Sequence, residues 1–213
     1  MKAALVTEGA LMLDCDPADA VFDGAEVRGP DGAISLDDLS TRLLYSQNQK
    51  QLCTTGSHLS KKSPPPYMAG FAEVEVDLGT GKVELIDYVA VVDCGQAINP
   101  KLAKVQVEGG LVQGIGMALT EEVRYSKRGA LLTKDMMTYK IPSRQDVPRV
   151  RVELVASYEP SGPFGAKSVG EIGIDTPPAV IANAVFDATG VRVRDLPVTS
   201  EKVLMALRGG EGL

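Results

Sequence analysis

The sequence predicts an α+β fold, with mixed or antiparallel sheets and helices packed against them. Three observations carry this. Residues 71–93 alternate apolar and polar side chains on either side of a Gly-Thr-Gly turn, the pattern of a hairpin with one buried face. Residues 100–119 and 179–188 are apolar stretches of helical length. Val150–Val155 alternates again and adds a further strand.

Taken in order, residues 3–13 place Leu5, Val6, Leu11 and Leu13 near helical spacing and predict an amphipathic first helix. Glu8 and Asp14 interrupt its apolar run, so it does not read as a secretion signal. Asp-Gly pairs at 23–24 and 31–32 are turn chemistry, which makes residues 21–32 a small hairpin. Ser35, followed by Asp37 and Asp38, is an N-cap with acids in the first turn, opening a helix to about Tyr45. Residues 46–66 are polar and end in Ser-Lys-Lys-Ser-Pro-Pro-Pro-Tyr. Three prolines in a row cannot donate backbone hydrogen bonds and favour extended chain. A boundary is expected there, dividing residues 1–62 from 63–213. The only histidine, His58, reads as a loop residue rather than a ligand, and Lys61–Lys62 as a solvated pair rather than a phosphate contact.

The strand Phe71–Asp77 returns as Val83–Asp93, more buried toward Val91 and Val92, with Cys94 a small core hydrophobe. Asn99 is a fair N-cap and Pro100 suits the first helical position of a helix to about 119. Gly109, Gly110, Gly114 and Gly116 each weaken that helix relative to alanine. Such a thin helix needs a reason: close packing on one reading, close approach of a cofactor on the other. Gln106 and Gln113, seven apart, share one of its faces. Residues 120–160 read as short strands and turns. Pro177-Pro178 opens a helix to about Thr189, ended by Gly190. Val191–Arg194 reads as a short strand, Thr199 as the cap of a last helix over 200–207, and residues 209–213 as a frayed end.

Composition narrows the function classes. The 213 residues carry net charge -6 and no tryptophan, so neither a basic footprint nor a base-stacking surface is available for nucleic acid. The three cysteines, Cys15, Cys53 and Cys94, form no C-x-x-C, so no zinc or iron–sulfur site is expected from this chain's own ligands. An odd, scattered set of thiols suits a reducing cytoplasm. No apolar run approaches membrane-spanning length.

The chemistry is expected in the stretch Gly162-Pro163-Phe164-Gly165-Ala166-Lys167-Ser168-Val169-Gly170-Glu171-Ile172-Gly173. Dense glycines let a backbone approach a bulky ligand and allow positive φ. Glu171 would be delivered at the end of the loop as an isolated base; a tight loop with a solvated glutamate is the plainer reading. The spacing is not a P-loop, because Gly162 and Gly165 are too close together.

With VVDCGQAINP (91–100), VQVEGGLVQGIGMALTEEV (105–123) and IANAVFDATGVRVRDLPVTSEKVL (181–204), the run GPFGAKSVGEIGI resembles the molybdenum-binding subunit of the molybdenum hydroxylases, the xanthine dehydrogenase and aldehyde oxidoreductase family. The resemblance covers nearly the whole chain, most weakly over the first sixty residues. Family subunits are several times longer, and this chain is similar to their C-terminal part. The implied fold is the C-terminal half of the family's molybdopterin-binding domain.

The resemblance implies a molybdenum–molybdopterin cofactor, with its mononucleotide and cytosine dinucleotide forms both open, and no protein ligand to the metal. It implies hydroxylation of an electron-poor carbon, in an aldehyde or an N-heteroaromatic ring, with oxygen from water. Glu171 matches the catalytic glutamate, partly buried so that its basicity is raised. Gln106 matches the glutamine whose amide contacts the molybdenum centre. Gly165, Ala166, Lys167, Ser168, Val169 and Gly170 would border the cofactor, with backbone donors at Lys167, Ser168 and Val169. Implied partners are a larger molybdopterin-binding subunit, an FAD subunit and a [2Fe-2S] iron–sulfur subunit. Two alternatives stand beside this: a non-catalytic fragment that folds or oligomerises without cofactor, and, more weakly, a nucleotide-binding domain.

Overall fold

In the computed structural model, which describes residues 1–47, 49–57 and 59–209, the chain divides after Leu59. His58 and residues 210–213 of the expected frayed end lie outside the described residues.

The first unit, Met1–Leu59, begins with helix α1 (Lys2–Met12). Its buried residues are Gly9 and Ala10, while Leu11 is 68% exposed. Of the expected apolar face, Leu5, Val6 and Leu13 pack against the core as predicted, and Leu11 alone points away from it. A Cβ at Gly9 would meet Val27 Cγ1 at 2.6 Å, so the helix is seated through its missing side chain. The predicted hairpin is a three-stranded antiparallel sheet, β1 (Val21–Phe22), β2 (Glu26–Arg28) and β3 (Ala33–Ser35). Asp23 shapes its first turn by accepting from the Ala25 and Glu26 N–H groups at 2.9 and 3.1 Å. Those bonds, with the Arg28 guanidinium, hold its carboxyl down to about 2. Helix α2 (Leu36–Tyr45) starts as predicted: Ser35 Oγ accepts the Asp38 N–H at 3.1 Å and donates to Asp38 Oδ2 at 2.8 Å. Ala10, Ala20, Val27, Ile34, Leu39 and Leu43 make this unit's core.

The second unit, Ser60–Leu213, is built on a sheet of order β4 (Tyr67–Val76), β5 (Val83–Asp93), β6 (Val150–Leu154). The β4–β5 hairpin is antiparallel as predicted, whereas β6 pairs parallel to β5. A parallel neighbour requires a crossover, and helix α3 (Pro100–Leu119) lies within it. Pairing jumps from Glu73↔Asp87 to Val74↔Leu85, so Ile86 is an extra residue on β5. That bulge lets Leu85 be buried on one side of it and Tyr88, Ala90 and Val92 on the other.

Tyr88, Ala90 and Val92 form one core with Val107, Leu111 and Ile115 of α3 and Ile181 of α5 (Pro177–Thr189). The Tyr88 hydroxyl is buried there with no hydrogen-bond partner among the described residues, and a Cβ at Gly70 would meet it at 2.5 Å. Burial pushes this phenol's pKa upward. Helix α5 ends at Gly190, φ 76°, whose N–H donates to Phe186 O at 2.7 Å. Thr199 caps α6 (Ser200–Leu207) as predicted.

Two sequence expectations fail here. Between Thr120 and Arg149 the described chain forms no named strand, only an isolated bridge from Tyr125 to Leu131. Its turns are held by side chains, such as Thr133 Oγ1 accepting the Arg124 N–H at 2.7 Å. Val191–Arg194 joins no sheet. Arg192 instead folds back on α5, donating to Asn183 Oδ1 at 2.8 Å and stacking 3.9 Å from the Phe186 ring centroid.

Candidate functional site

The glycine-rich stretch crosses the end of β5 and then runs to α3. Gly162 leads a single 3-10 turn, Pro163–Gly165, in which Phe164 is 82% exposed at φ 54°. A non-glycine residue with that φ is uncommon and costs of order 1–3 kcal/mol. Gly165, φ 84°, has no room for a side chain: a Cβ would meet the Tyr158 ring at 2.4 Å. Its carbonyl accepts the N–H groups of Gln96 at 2.8 Å and Glu159 at 3.0 Å. The Lys167 N–H donates to Cys94 O at 2.7 Å, and Ala166 bridges to Gly95, which seats the loop on the strand end.

Lys167 turns its side chain inward. Its ammonium donates to Asp93 Oδ2 at 2.7 Å, and the two side chains are 10% and 22% exposed. The other oxygen, Asp93 Oδ1, accepts from Ser157 Oγ at 2.6 Å and from the Gly95 N–H at 2.8 Å. The Lys167 ammonium, then the hydroxyl and the amide, hold the Asp93 carboxyl down to about 2. The Lys167 Nζ also sits 5.1 Å from the Tyr67 ring centroid. Next to this pair, burial raises the Cys94 thiol.

Beyond Lys167 the backbone donors are unpaired. Among the described residues, the N–H groups of Ser168, Val169, Gly170 and Glu171 donate to no acceptor. At the far end of this row, Gln106 Nε2 donates to Gly170 O at 2.9 Å. That bond uses one of two amide hydrogens and leaves the other without an acceptor among the described residues. Glu171 then opens a single helical turn, α4 (Ile172–Asp175), without capping it through its side chain.

Gly173 explains why α3 is thin. A Cβ on Gly173 would meet Val107 O at 2.7 Å, and one on Gly110 would meet Gly173 Cα at 3.0 Å. A Cβ on Gly114 would meet Ile174 O at 2.7 Å. Close packing is therefore the reason for Gly110 and Gly114. Gly109 differs: it is exposed, a Cβ there would find nothing within 4 Å, and the same space is open at Gly170.

A cavity of about 500 Å³ opens between α3 and the loop, lined among others by Ile98, Leu102, Gln106, Ala166, Val169 and Gly170. A neighbouring one of about 520 Å³ is lined by Gln106, Gly109 and Gln113. A third, of about 530 Å³, lies at the opposite end of β5 around Lys82, Glu84 and Asp146, away from the loop.

The structure thus brings Gln106, Ala166, Lys167, Val169 and Gly170 to one cavity, with exposed Ser168 within the same row and Gly165 beneath it as a loop anchor. Two expectations change. The Lys167 N–H is engaged within the chain and is not a free donor. Glu171 is exposed rather than partly buried, and among the described residues its carboxylate accepts no hydrogen bond and joins no ion pair. Sequence reasoning missed Asp93, Ser157 and Tyr67. An acid closing an otherwise apolar strand, Val89-Ala90-Val91-Val92-Asp93, was the available signal for the first; Ser157 and Tyr67 gave none. Among the described residues no group of three or more His, Cys, Asp or Glu side chains is placed to hold a metal ion.

Residues 1–148 match a family model described as a molybdopterin cofactor-binding domain. The chain is 37% identical over 209 residues to a probable hypoxanthine oxidase, XdhD, of Escherichia coli strain K12, covering 97% of this chain and 22% of that protein. It is 42% identical over 190 residues to the aldehyde oxidoreductase molybdenum-binding subunit PaoC of the same organism, covering 86% and 26%. Among solved structures, quinoline 2-oxidoreductase from Pseudomonas putida 86 superposes with a TM-score of 0.79 at 25% identity, covering 97% of this chain and 28% of that one. The chain spans about a quarter of the length of these relatives.

Proposed function

Because the chain belongs to the molybdopterin cofactor-binding family of the xanthine dehydrogenase and aldehyde oxidoreductase type, we propose that it supplies the base and one wall of the pterin site of a molybdenum hydroxylase. The enzyme would hydroxylate an aldehyde or an N-heteroaromatic carbon, taking oxygen from water. The observation that carries this reading is the row of unpaired N–H groups from Ser168 to Glu171, of which Val169 and Gly170 line a cavity together with Gln106.

A pterin–molybdenum unit fits these residues chemically. Its oxo groups need hydrogen-bond donors, and the row provides backbone donors without side-chain bulk at Gly170, where a Cβ would meet open space. Ser168, Val169 and Gly170, with Gln106 Nε2, would hold it, while Gly165, Ala166 and Lys167 support the loop from below. When bound, the cofactor supplies two-electron oxidation of the substrate carbon.

What this chain does is hold and move a proton. Glu171 ends the donor row, so its carboxylate would stand next to the held group. Among the described residues no cation or donor occupies that carboxylate, and either oxygen is free to accept a proton from the attacking hydroxyl. Its exposure here suits a site whose remaining wall lies outside these residues and would exclude water and raise the basicity of Glu171. Ile98, Leu102 and Val105 beside the cavity are 64%, 64% and 55% exposed, apolar surface that such a wall would cover.

Partners follow from the same reading: a larger molybdopterin-binding chain, and FAD and [2Fe-2S] subunits that take the electrons. No described helix is long and apolar enough to cross a membrane. The described cysteines are all unpaired thiols, which supports a cytoplasmic setting. The test is coexpression with the companion chains, followed by molybdenum analysis and turnover of the wild type and Glu171→Gln. The variant should retain its metal and lose roughly a hundredfold or more in kcat. Full turnover would remove Glu171 from the role of base. A soluble, monomeric chain that gains no pterin from any coexpressed partner would instead favour the non-catalytic reading.

A further inference from the structure

The donor row Ser168–Glu171 is suspended between two fixings, and only one of them faces the cavity with a spare donor. At the far end stand Gln106 on Gly170 O and the Gly173–Gly110 contact. At the near end stand the Lys167 N–H on Cys94 O and the Lys167 ammonium on Asp93. We propose that Lys167 is a positioning residue rather than a cofactor ligand: paired with Asp93, it fixes where the donor row begins and hence where Glu171 points.

Four observations carry this. The Lys167 side chain is 10% exposed, and its charge is taken up by Asp93 at 2.7 Å, away from solvent. Asp93 is itself immobilised, by Ser157 at 2.6 Å and by the Gly95 N–H at 2.8 Å, so the ion pair is anchored to the strand end. The Tyr67 ring, 5.1 Å from the ammonium, closes a further side of it. The backbone of Lys167 is bonded to the same strand end, so side chain and main chain fix one point together. A lysine whose charge served an anionic ligand would not be matched this way by a carboxylate within its own chain. Three residues separate that point from Glu171, and a displacement of about 1 Å at a reacting group can cost on the order of a hundredfold in rate. The inference rests on the pterin-site reading of the donor row.

The experiment uses the assembled enzyme and four variants: Lys167→Met, Lys167→Arg, Asp93→Asn, and the double Lys167→Met/Asp93→Asn. Readouts are molybdenum content, kcat and KM separately, and amide hydrogen exchange over residues 93–97 and 165–168. Lys167→Met should lower kcat by roughly a hundredfold with little change in KM, retain molybdenum, and speed exchange of both segments. Asp93→Asn should reproduce it, and the double variant should be no worse than either single, as expected for two residues acting as one unit. Lys167→Arg should restore most of the protection and rate. Two results would overturn the proposal. In one, Lys167→Met matches the wild type in rate and exchange. In the other, Lys167→Met loses molybdenum while Asp93→Asn is silent, which marks the ammonium as a cofactor ligand. If Glu171→Gln keeps full turnover, the reading of the base fails by itself, and the exchange data still decide whether Lys167 and Asp93 hold the loop.

Discussion

The two sides of α3 use the same residue type for opposite purposes. On the inward side, Gly110 and Gly114 are buried, and any Cβ there would strike α4 or α5 at 3.0 Å or less. On the outward side, Gly109 is exposed with nothing within 4 Å, between Gln106 and Gln113 over a cavity. The loop divides likewise. Its buried part is anchored at the end of β5, Gly165 through Gln96 and the Lys167 side chain through Asp93, whereas Ser168–Glu171 is exposed or half-buried with its N–H groups unpaired. A supporting layer and a working layer therefore lie within a few residues of each other, and their side chains answer to different demands.

That contrast predicts separable effects. The largest belongs to the working layer: Glu171→Gln should cut turnover by two orders of magnitude or more and leave the melting temperature unchanged, since its carboxylate makes no bond to the described residues. A fall in stability with turnover would blur the division.

Gly173→Val should lower stability, and turnover with it, because its contact with Gly110 also fixes the far end of the donor row. Its Cβ would meet Val107 O at 2.7 Å, and overpacking of this kind costs about 1–3 kcal/mol, to be read from urea unfolding. If α4 moves aside without loss of stability, the packing account of the thin helix is wrong. Gly109→Ala should instead stabilise by up to about 1 kcal/mol, because it adds helix propensity where nothing obstructs it. The same change should lower pterin content if a ligand approaches that face.

The smallest effect is on acid stability. The Asp93 carboxyl is lowered from 3.8 to about 2 in the folded chain. Its contribution is therefore complete above pH 3.8 and fades as pH falls through about 2. Asp23 is lowered to a similar value in the first unit, so the comparison must be wild type against Asp93→Asn. The variant should start less stable at about pH 6 and show a flatter decline between about pH 4 and about pH 2. Parallel curves would mean that Lys167 does not hold Asp93 in solution.

Much of the architecture was legible because local chemistry and tertiary structure agree. Ser35, Asn99 and Thr199 cap the helices they announce, and Gly190 ends α5 in the left-handed region. Where they disagree, a contact distant in sequence prevails. Val191-Arg192-Val193-Arg194 alternates like a strand, yet Arg192 finds Phe186 and Asn183 and joins no neighbouring strand. Leu11 fits a helical stripe, yet α1 is seated through Gly9 on Val27.

By itself the sequence determined the elements whose signals are short in range: the hairpin, the capped helices, the glycine density of the loop and the carboxylate that ends it. Only the tertiary structure decided that β6 pairs parallel to β5, that two glycines of α3 serve packing while a third faces open space, and that Lys167 turns inward to Asp93. The physical reason is range. Caps, turns and alternation are settled between residues a few positions apart, whereas Lys167 and Asp93 lie 74 residues apart. Contacts of that kind exist only once the sheet has been closed and the loop laid across its end.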